Sequence, residues 1–277
     1  MNEFPRTMVG GVSLPRLIAG SNWFLGYSHT SLAKDKFIKD LQTRERIARI
    51  LAVFLENGID AVMGPPSPLL EEAILDAEDQ TGQAMIRILT PIFNIVPGGD
   101  PAQEPELMFD TCKKLNGTFC MPHQCVTDAL LDRRAGTIRD LEKYTQLIRE
   151  RGMIPGLSTH MPESTVYADR MGADVETYIQ IYNAAGFMMQ VEADWVQRII
   201  ANAQKPVMTI KPLAAGRLLP LVGLAFAWST IRDQDMVTIG TTTPDEAREV
   251  IDLSLDLLNH QMPEIALQKT RSKKSLE

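Results

Sequence analysis

Eight times along the chain a short apolar run ends in a polar or ionisable residue: Leu14 to Asn22, Gly58 to Gly64, Ala84 to Thr90, Thr118 to His123, Gly152 to His160, Glu176 to Asn183, Pro206 to Lys211 and Met236 to Thr241. Seven of the eight runs are followed by a stretch with helical spacing. Ile47, Ile50, Leu51, Phe54 and Leu55 keep the i, i+3, i+4 spacing of a helix stripe that packs on a sheet. So do Leu70, Ala73, Ile74 and Ala77, then Val196, Ile199, Ile200 and Ala203, and finally Ala247, Val250, Ile251, Leu255 and Leu258. Strand and helix alternating in this way predict an α/β fold, a (β/α)8 TIM barrel occupying residues 1–277 as one domain. In such a barrel the C-terminal strand ends form the mouth, so Asn22, Thr90, His123, His160, Asn183, Lys211 and Thr241 are expected to converge there.

Local signals fill in this frame. Gly10-Gly11 between Arg6 and Leu17 predicts an N-terminal β-hairpin that could plug the barrel floor. Thr243, Pro244 and Glu246 predict a helix start with a capping box, its free N–H groups facing the mouth beside Thr241 and Thr242. Trp23 to Gln42, carrying Trp23, Phe24, Tyr27 and His29, reads as a long βα loop and hence as a lid. The polar tail 268–277 reads as disordered.

Composition narrows the function classes. A net charge of −7 argues against nucleic acid and anionic membranes, which need a basic face. No apolar run is long enough to span a bilayer, and the start of the chain lacks the features of a leader, so a cytoplasmic location is expected. The three cysteines Cys112, Cys120 and Cys125 fit free thiols in a reducing compartment.

Candidate chemistry lies at the strand ends. His123 and His160 end neighbouring strands; with no carboxylate at an obvious strand end, and Cys120 facing away from Cys125, no metal site is assigned. Lys211 has three readings: a charge for an anionic ligand, a Schiff-base amine, or a structural lysine. The Gly240-Thr-Thr-Thr243 turn could present donors to a phosphate or carboxylate, with Asp245 and Glu246 competing. Asn22, Asn94 and Asn183 could add rim hydrogen bonds. If Ile179 and Ile181 pack on the helices, Gln180 and Tyr182 face inward and Tyr182 becomes a proton donor.

With these residues in hand, the chain resembles the aldo/keto reductase superfamily, nearest the bacterial branch that often carries an iron-sulfur tail. The strings that carry the resemblance are Gly156-Leu-Ser-Thr-His160, Lys211-Pro-Leu-Ala-Ala-Gly216 and Ile239 to Val250. The resemblance implies hydride transfer between a nicotinamide cofactor and a carbonyl through an Asp, a Tyr, a Lys and a His. His123 stands where the His belongs, but Met63 takes the Asp position, Thr90 the Lys position, and no tyrosine follows Gly58-Ile-Asp-Ala-Val-Met63. The last helix lacks a basic clamp, which disfavours NADP(H) and leaves NAD(H) open, and no cysteine cluster follows for the iron-sulfur extension. The resulting assignment is catalytic roles for His123, Tyr182 and Lys211; substrate contacts at Asn22, Trp23, Thr90, His160 and Asn183; and cofactor contacts at Ser158, Thr159, Gln180, Thr241, Thr242 and Thr243. The expected activity is binding of a small anionic or carbonyl metabolite, with an oxidoreductase of non-standard residues first. A Schiff-base lyase or aldolase on Lys211 and a non-catalytic binding protein are the alternatives, and a homo-oligomer is left open.

Overall fold

The parallel strands that build the barrel are β3 (Leu17–Gly20), β4 (Ala61–Gly64), β5 (Ile86–Leu89), β6 (Gly117–Cys120), β9 (Ile154–Pro155), β10 (Leu157–Thr159), β11 (Tyr178–Ile181), β12 (Val207–Ile210) and β13 (Met236–Ile239). They pair in the order β10-β11-β12-β13-β3-β4-β5-β6-β9. Because β9 and β10 are separated only by Gly156, they are two halves of one stave, and the nine segments close as eight. A Cβ on Gly156 would lie 2.6 Å from Met121 Cε and 2.9 Å from the Thr177 carbonyl oxygen, so that stave needs glycine where it bends. The computed structural model describes residues 4–93, 104–263, 265 and 273; Asn94 and the tail 268–277, apart from Lys273, lie outside them.

The hairpin precedes the barrel as β1 (Arg6–Val9) and β2 (Val12–Pro15), turning at Gly10 and Gly11 with φ of 54° and 83°. Leu14 and Pro15 therefore belong to the hairpin rather than to the first stave. Gly10 packs against Ile154 and Glu176, at the N-terminal strand ends, while Val9 and Leu14 join the interior layer of Ile18, Ala61, Ile88, Phe119, Ile179, Met208 and Met236. The floor is thus sealed with apolar side chains.

The helices are α1 (Asn22–Leu25), α2 (Leu32–Leu41), α3 (Arg44–Glu56), α4 (Pro68–Thr81), α5 (Pro105–Lys114), α6 (Gln124–Ala129), α7 (Leu141–Glu150), α8 (Glu163–Met171), α9 (Ala193–Asn202), α10 (Pro220–Thr230) and α11 (Pro244–Leu258); a short hairpin, β7 (Leu131–Asp132) and β8 (Thr137–Ile138), lies between α6 and α7. Their stripes cover the outward strand residues, as where Leu17, Ala19, Val62, Val237 and Ile239 meet α3, α4, α10 and α11. Each fully buried leucine or phenylalanine on such a stripe contributes roughly 1.5–3 kcal/mol. The segment expected to be one long loop, Trp23 to Gln42, instead forms most of α1 and α2: Ser31 caps α2 and Ile38 anchors it in the core. Its length is used up by helix, which periodicity over so few turns did not reveal.

Charged groups fasten the outer layers. Arg87 of β5 donates to Glu71 and Glu78 of α4 at 2.7–3.2 Å. Asp235, fully buried, accepts from the Val207 amide at 2.8 Å and from the amide and guanidinium of Arg232, fixing the entry to β12 and β13. Among the described residues no helix is long and apolar enough to cross a membrane.

Candidate functional site

A cavity of about 860 Å³ opens at the C-terminal strand ends, lined among others by Asn22, Trp23, Thr90, His123, Ser158, His160, Lys211, Thr241 and Thr242. Its rim is apolar: Tyr27, Phe37, Ile92, Met188 and Leu219 all line it and are exposed. Trp23 packs on Gly240, where a Cβ would come within 2.6 Å of its ring, and Lys34 lies over the Trp23 and Phe37 rings at 5.8 and 4.6 Å.

Five expected contacts lie elsewhere. Ile179 and Ile210 face the cavity, so the alternation of β11 runs in the opposite phase: Gln180 is buried outside the barrel wall, and Tyr182 stacks on Phe226 with centroids 4.9 Å apart and donates to Thr230 Oγ1 at 3.0 Å. Burial raises the Tyr182 phenol, and its place outside the wall removes it as a proton donor to the mouth. Thr159 also points outward, bonding Asp128 and Ser164. Asn183 is fully buried and closes its own loop through the Phe187 amide and carbonyl at 2.8 and 3.1 Å. Thr243 spends its hydroxyl capping α11 and borders a separate cleft.

At the centre stands Lys211. Since Ile210 faces inward, regular alternation would turn Lys211 out to the helices; instead its φ of 61° breaks the strand and brings it into the mouth. A left-handed backbone at a non-glycine residue costs about 1–2 kcal/mol, and Ala214 and Ala215 in the same stretch adopt it too. Lys211 Nζ lies 2.7 Å from His29 Nε2, which is also 3.1 Å from Asn22 Nδ2. Both neighbours are donors, so His29 Nε2 accepts and the ring hydrogen sits on Nδ1. His29 is itself left-handed, with φ of 54°. No ion pair joins Lys211 to a carboxylate among the described residues. Burial lowers its ammonium to about 8.

The imidazoles respond to the same enclosure. Desolvation first, and the Lys211 charge second, lower His29 and His123 to about 4 and His160 to about 3, leaving all three neutral at pH 7. His123 does not end a strand: β6 stops at Cys120 and His123 caps α6, its Nδ1 accepting from the Cys125 amide at 3.4 Å. The hydrogen of its neutral ring is therefore on Nε2. Cys125 lies in the helix rather than on a shared strand face, and among the described residues no three His, Cys, Asp or Glu side chains are placed to hold a metal.

Two participants had weak or no sequence signal. His29 comes from the segment read as a lid, and only the folding of α1 and α2 brings it to Lys211. Asp128 of α6 accepts from Thr159 Oγ1 and, at 3.1 Å, from the His160 amide, so it sets where His160 sits. Burial lifts its carboxyl while these bonds pull it back. On the β3 and β13 side, Ser21 and Thr241 border the cavity, but their hydroxyl oxygens are sealed from it and have no hydrogen-bond partner among the described residues. Thr209, two residues before Lys211, donates to the Met236 carbonyl in the wall.

The turn at the start of α11 is already occupied by an anion. Thr243 Oγ1 accepts from the Glu246 amide, half of the expected capping box, but the Glu246 carboxylate reaches past Thr243 to the Thr242 amide and hydroxyl at 2.6 and 2.7 Å. Glu246→Ala should lower stability by about 0.5–1 kcal/mol in urea unfolding, and an unchanged midpoint would show that these bonds exist without consequence. Arg46 and Arg49 of α3 do border Thr242 and Thr243, in a separate cleft of about 240 Å³. The Thr242 amide and hydroxyl are thus taken, and Thr159 and Gln180 face away from the cavity, so none of these groups is free to hold a cofactor there.

No protein-family profile matches the sequence, and no curated protein is recognisably similar to it. The chain has the fold of the aldo-keto reductases. It is similar to a Pseudomonas aeruginosa protein assigned as an aldo-keto reductase, at TM-score 0.66 and 14% identity over 93% of this chain and 99% of that one. The aldo/keto reductase of Brucella melitensis superposes at TM-score 0.60, with 12% identity over 95% of each chain. An aldo-keto reductase of Klebsiella pneumoniae, solved in complex with NADPH, does so at 0.58, with 14% identity over 94% of this chain and 91% of that one.

Proposed function

We propose that the protein is a member of the aldo-keto reductase superfamily that binds a small anionic carbonyl compound, an oxo acid, with Lys211, His29, His123 and His160 standing in for the family's Asp, Tyr, Lys and His. The observation that carries this reading is Lys211, a cation turned into the cavity by a strained backbone and met there by neutral imidazoles rather than by a carboxylate. At pH 7 an amine of this acidity is about nine-tenths protonated, enough to hold a carboxylate. The Nε2 hydrogen of His123 is a neutral donor for a carbonyl oxygen. The apolar rim excludes water around the ligand.

Hydride transfer by the family's usual proton relay is not part of this reading. Met63 and Thr90 line the cavity where an Asp and a Lys would be needed, and Tyr182 is on the far side of the barrel wall.

Oxamate, an oxo-acid isostere that does not condense with amines, tests the binding reading. Calorimetry should show one site at pH 7, with affinity weaker by roughly thirtyfold at pH 9.5 as Lys211 loses its charge. Absence of binding, or affinity independent of pH, would remove Lys211 as the anion contact. In parallel, NADH or NADPH with a panel of aldehydes should give no turnover near about 1 per second, and such turnover would restore the standard reductase assignment.

A further inference from the structure

We infer that Lys211 is a nucleophile as well as a charge: its neutral amine condenses with the carbonyl carbon of the bound oxo acid to form an imine. This step rests on the binding reading above. Three geometric observations carry it. First, Lys211 and His29 meet at 2.7 Å while both hold left-handed backbone conformations, although neither is glycine. Strain at both members of one contact, in the wall of the cavity, is the mark of a pair positioned for use rather than for stability. Second, His29 Nε2 accepts a hydrogen from Lys211 Nζ and another from Asn22 Nδ2. In the neutral amine that bond consumes one N–H and orients the nitrogen, leaving its lone pair free for a carbonyl carbon. Third, the flanking side chains Ile179, Ile210 and Leu213 line the cavity around a lysine that has no carboxylate to hold it protonated. The other titratable groups of the cavity are His123 and His160, both neutral at pH 7, Tyr27 and Lys34 at the rim, and Glu246 and Glu249 of α11, and among the described residues neither glutamate pairs with Lys211. Its acidity, shifted to about 8 by desolvation, leaves a usable fraction of amine near neutral pH.

The nitrogen lone pair forms the N–C bond, the carbonyl π pair moves to oxygen, and both amine hydrogens leave with that oxygen as one water. Nothing is oxidised or reduced. The imine, once protonated, keeps the positive charge of Lys211 in the cavity and draws electrons from the neighbouring carbon, which is the chemistry of aldol addition and of carbon–carbon lyases.

The test is borohydride reduction of the whole protein with pyruvate, at concentrations that saturate the site at both pH 6 and pH 9, followed by digestion and mass spectrometry. The expected result is a reduced adduct on Lys211, more abundant at pH 9 by at least about tenfold and rising with a midpoint near 8, whereas ordinary surface lysines titrate near 10.5. Lys211→Arg should lose the adduct. The peptide map of the wild-type protein decides the question even if that variant does not fold. Oxamate binding without an adduct on Lys211, or adducts spread over surface lysines, overturns the nucleophile and leaves the binding reading intact. Neither oxamate binding nor an adduct overturns both.

Discussion

Methionine in place of Lys211 should abolish oxamate binding and, at the same time, make the empty protein more stable. The two effects have one cause. A half-buried ammonium without a carboxylate partner is held in the mouth at a desolvation cost, which burial expresses as a fall from 10.5 to about 8. The unfolded chain binds that proton up to about 10.5 and the folded one only up to about 8, so wild-type stability rises with pH across this window. Below pH 8 the penalty is fully present, above 10.5 it is gone. Discounted for partial exposure, Lys211→Met should therefore gain about 1–2 kcal/mol at pH 7, and the gain should vanish toward pH 10.5. Urea unfolding at pH 7 and pH 10 measures the first effect and calorimetry the second. A variant less stable than wild type at pH 7, or one that binds oxamate unchanged, would contradict the account of a charge maintained for ligand rather than for fold.

The opposite outcome is expected at Asp235, at the far end of the barrel. Its carboxylate is fully buried and takes the Val207 amide, the Arg232 amide and two guanidinium nitrogens, while its own carbonyl accepts from Arg16 Nε at 3.0 Å. Asp235→Ala strands the Arg232 guanidinium and a buried amide together, and breaking one side of such a buried pair costs about 3–5 kcal/mol. The loss should appear as an earlier urea midpoint with an unchanged slope, since the fold that unfolds is the same. A cost below about 1 kcal/mol would mean that water enters to replace the carboxylate. Oxamate affinity of the folded fraction should be unaffected, because these bonds join the entries of β12 and β13 rather than their exits. Comparing the two variants separates the residues that build the barrel from those held in it against stability.

The same division runs through the comparison of sequence with structure. The eight apolar runs, the Gly10-Gly11 hairpin, the Thr243-Pro244 helix start and the arrival of His123 and His160 at one mouth follow from local patterns. Parallel strands need no non-local detail to place their C-terminal ends together. The phase of each strand does need it. In β11 both faces are buried, the inner one on barrel side chains and the outer one on helices, so apolar content does not reveal which of Ile179 and Gln180 points inward. That ambiguity sent Gln180 and Tyr182 to the wrong side. Lys211 reaches the mouth because its backbone leaves the strand geometry, a choice made by the turn that follows and not by alternation. His29, Asp128, Arg46 and Arg49 come to the mouth and its border from helices or the loops between them, and their positions depend on how those elements pack. The sequence by itself therefore determined the barrel and which strand ends meet; which side chains face the ligand, and which of them are left without a partner, were decided only by tertiary packing, because burial is a property of neighbours rather than of position along the chain.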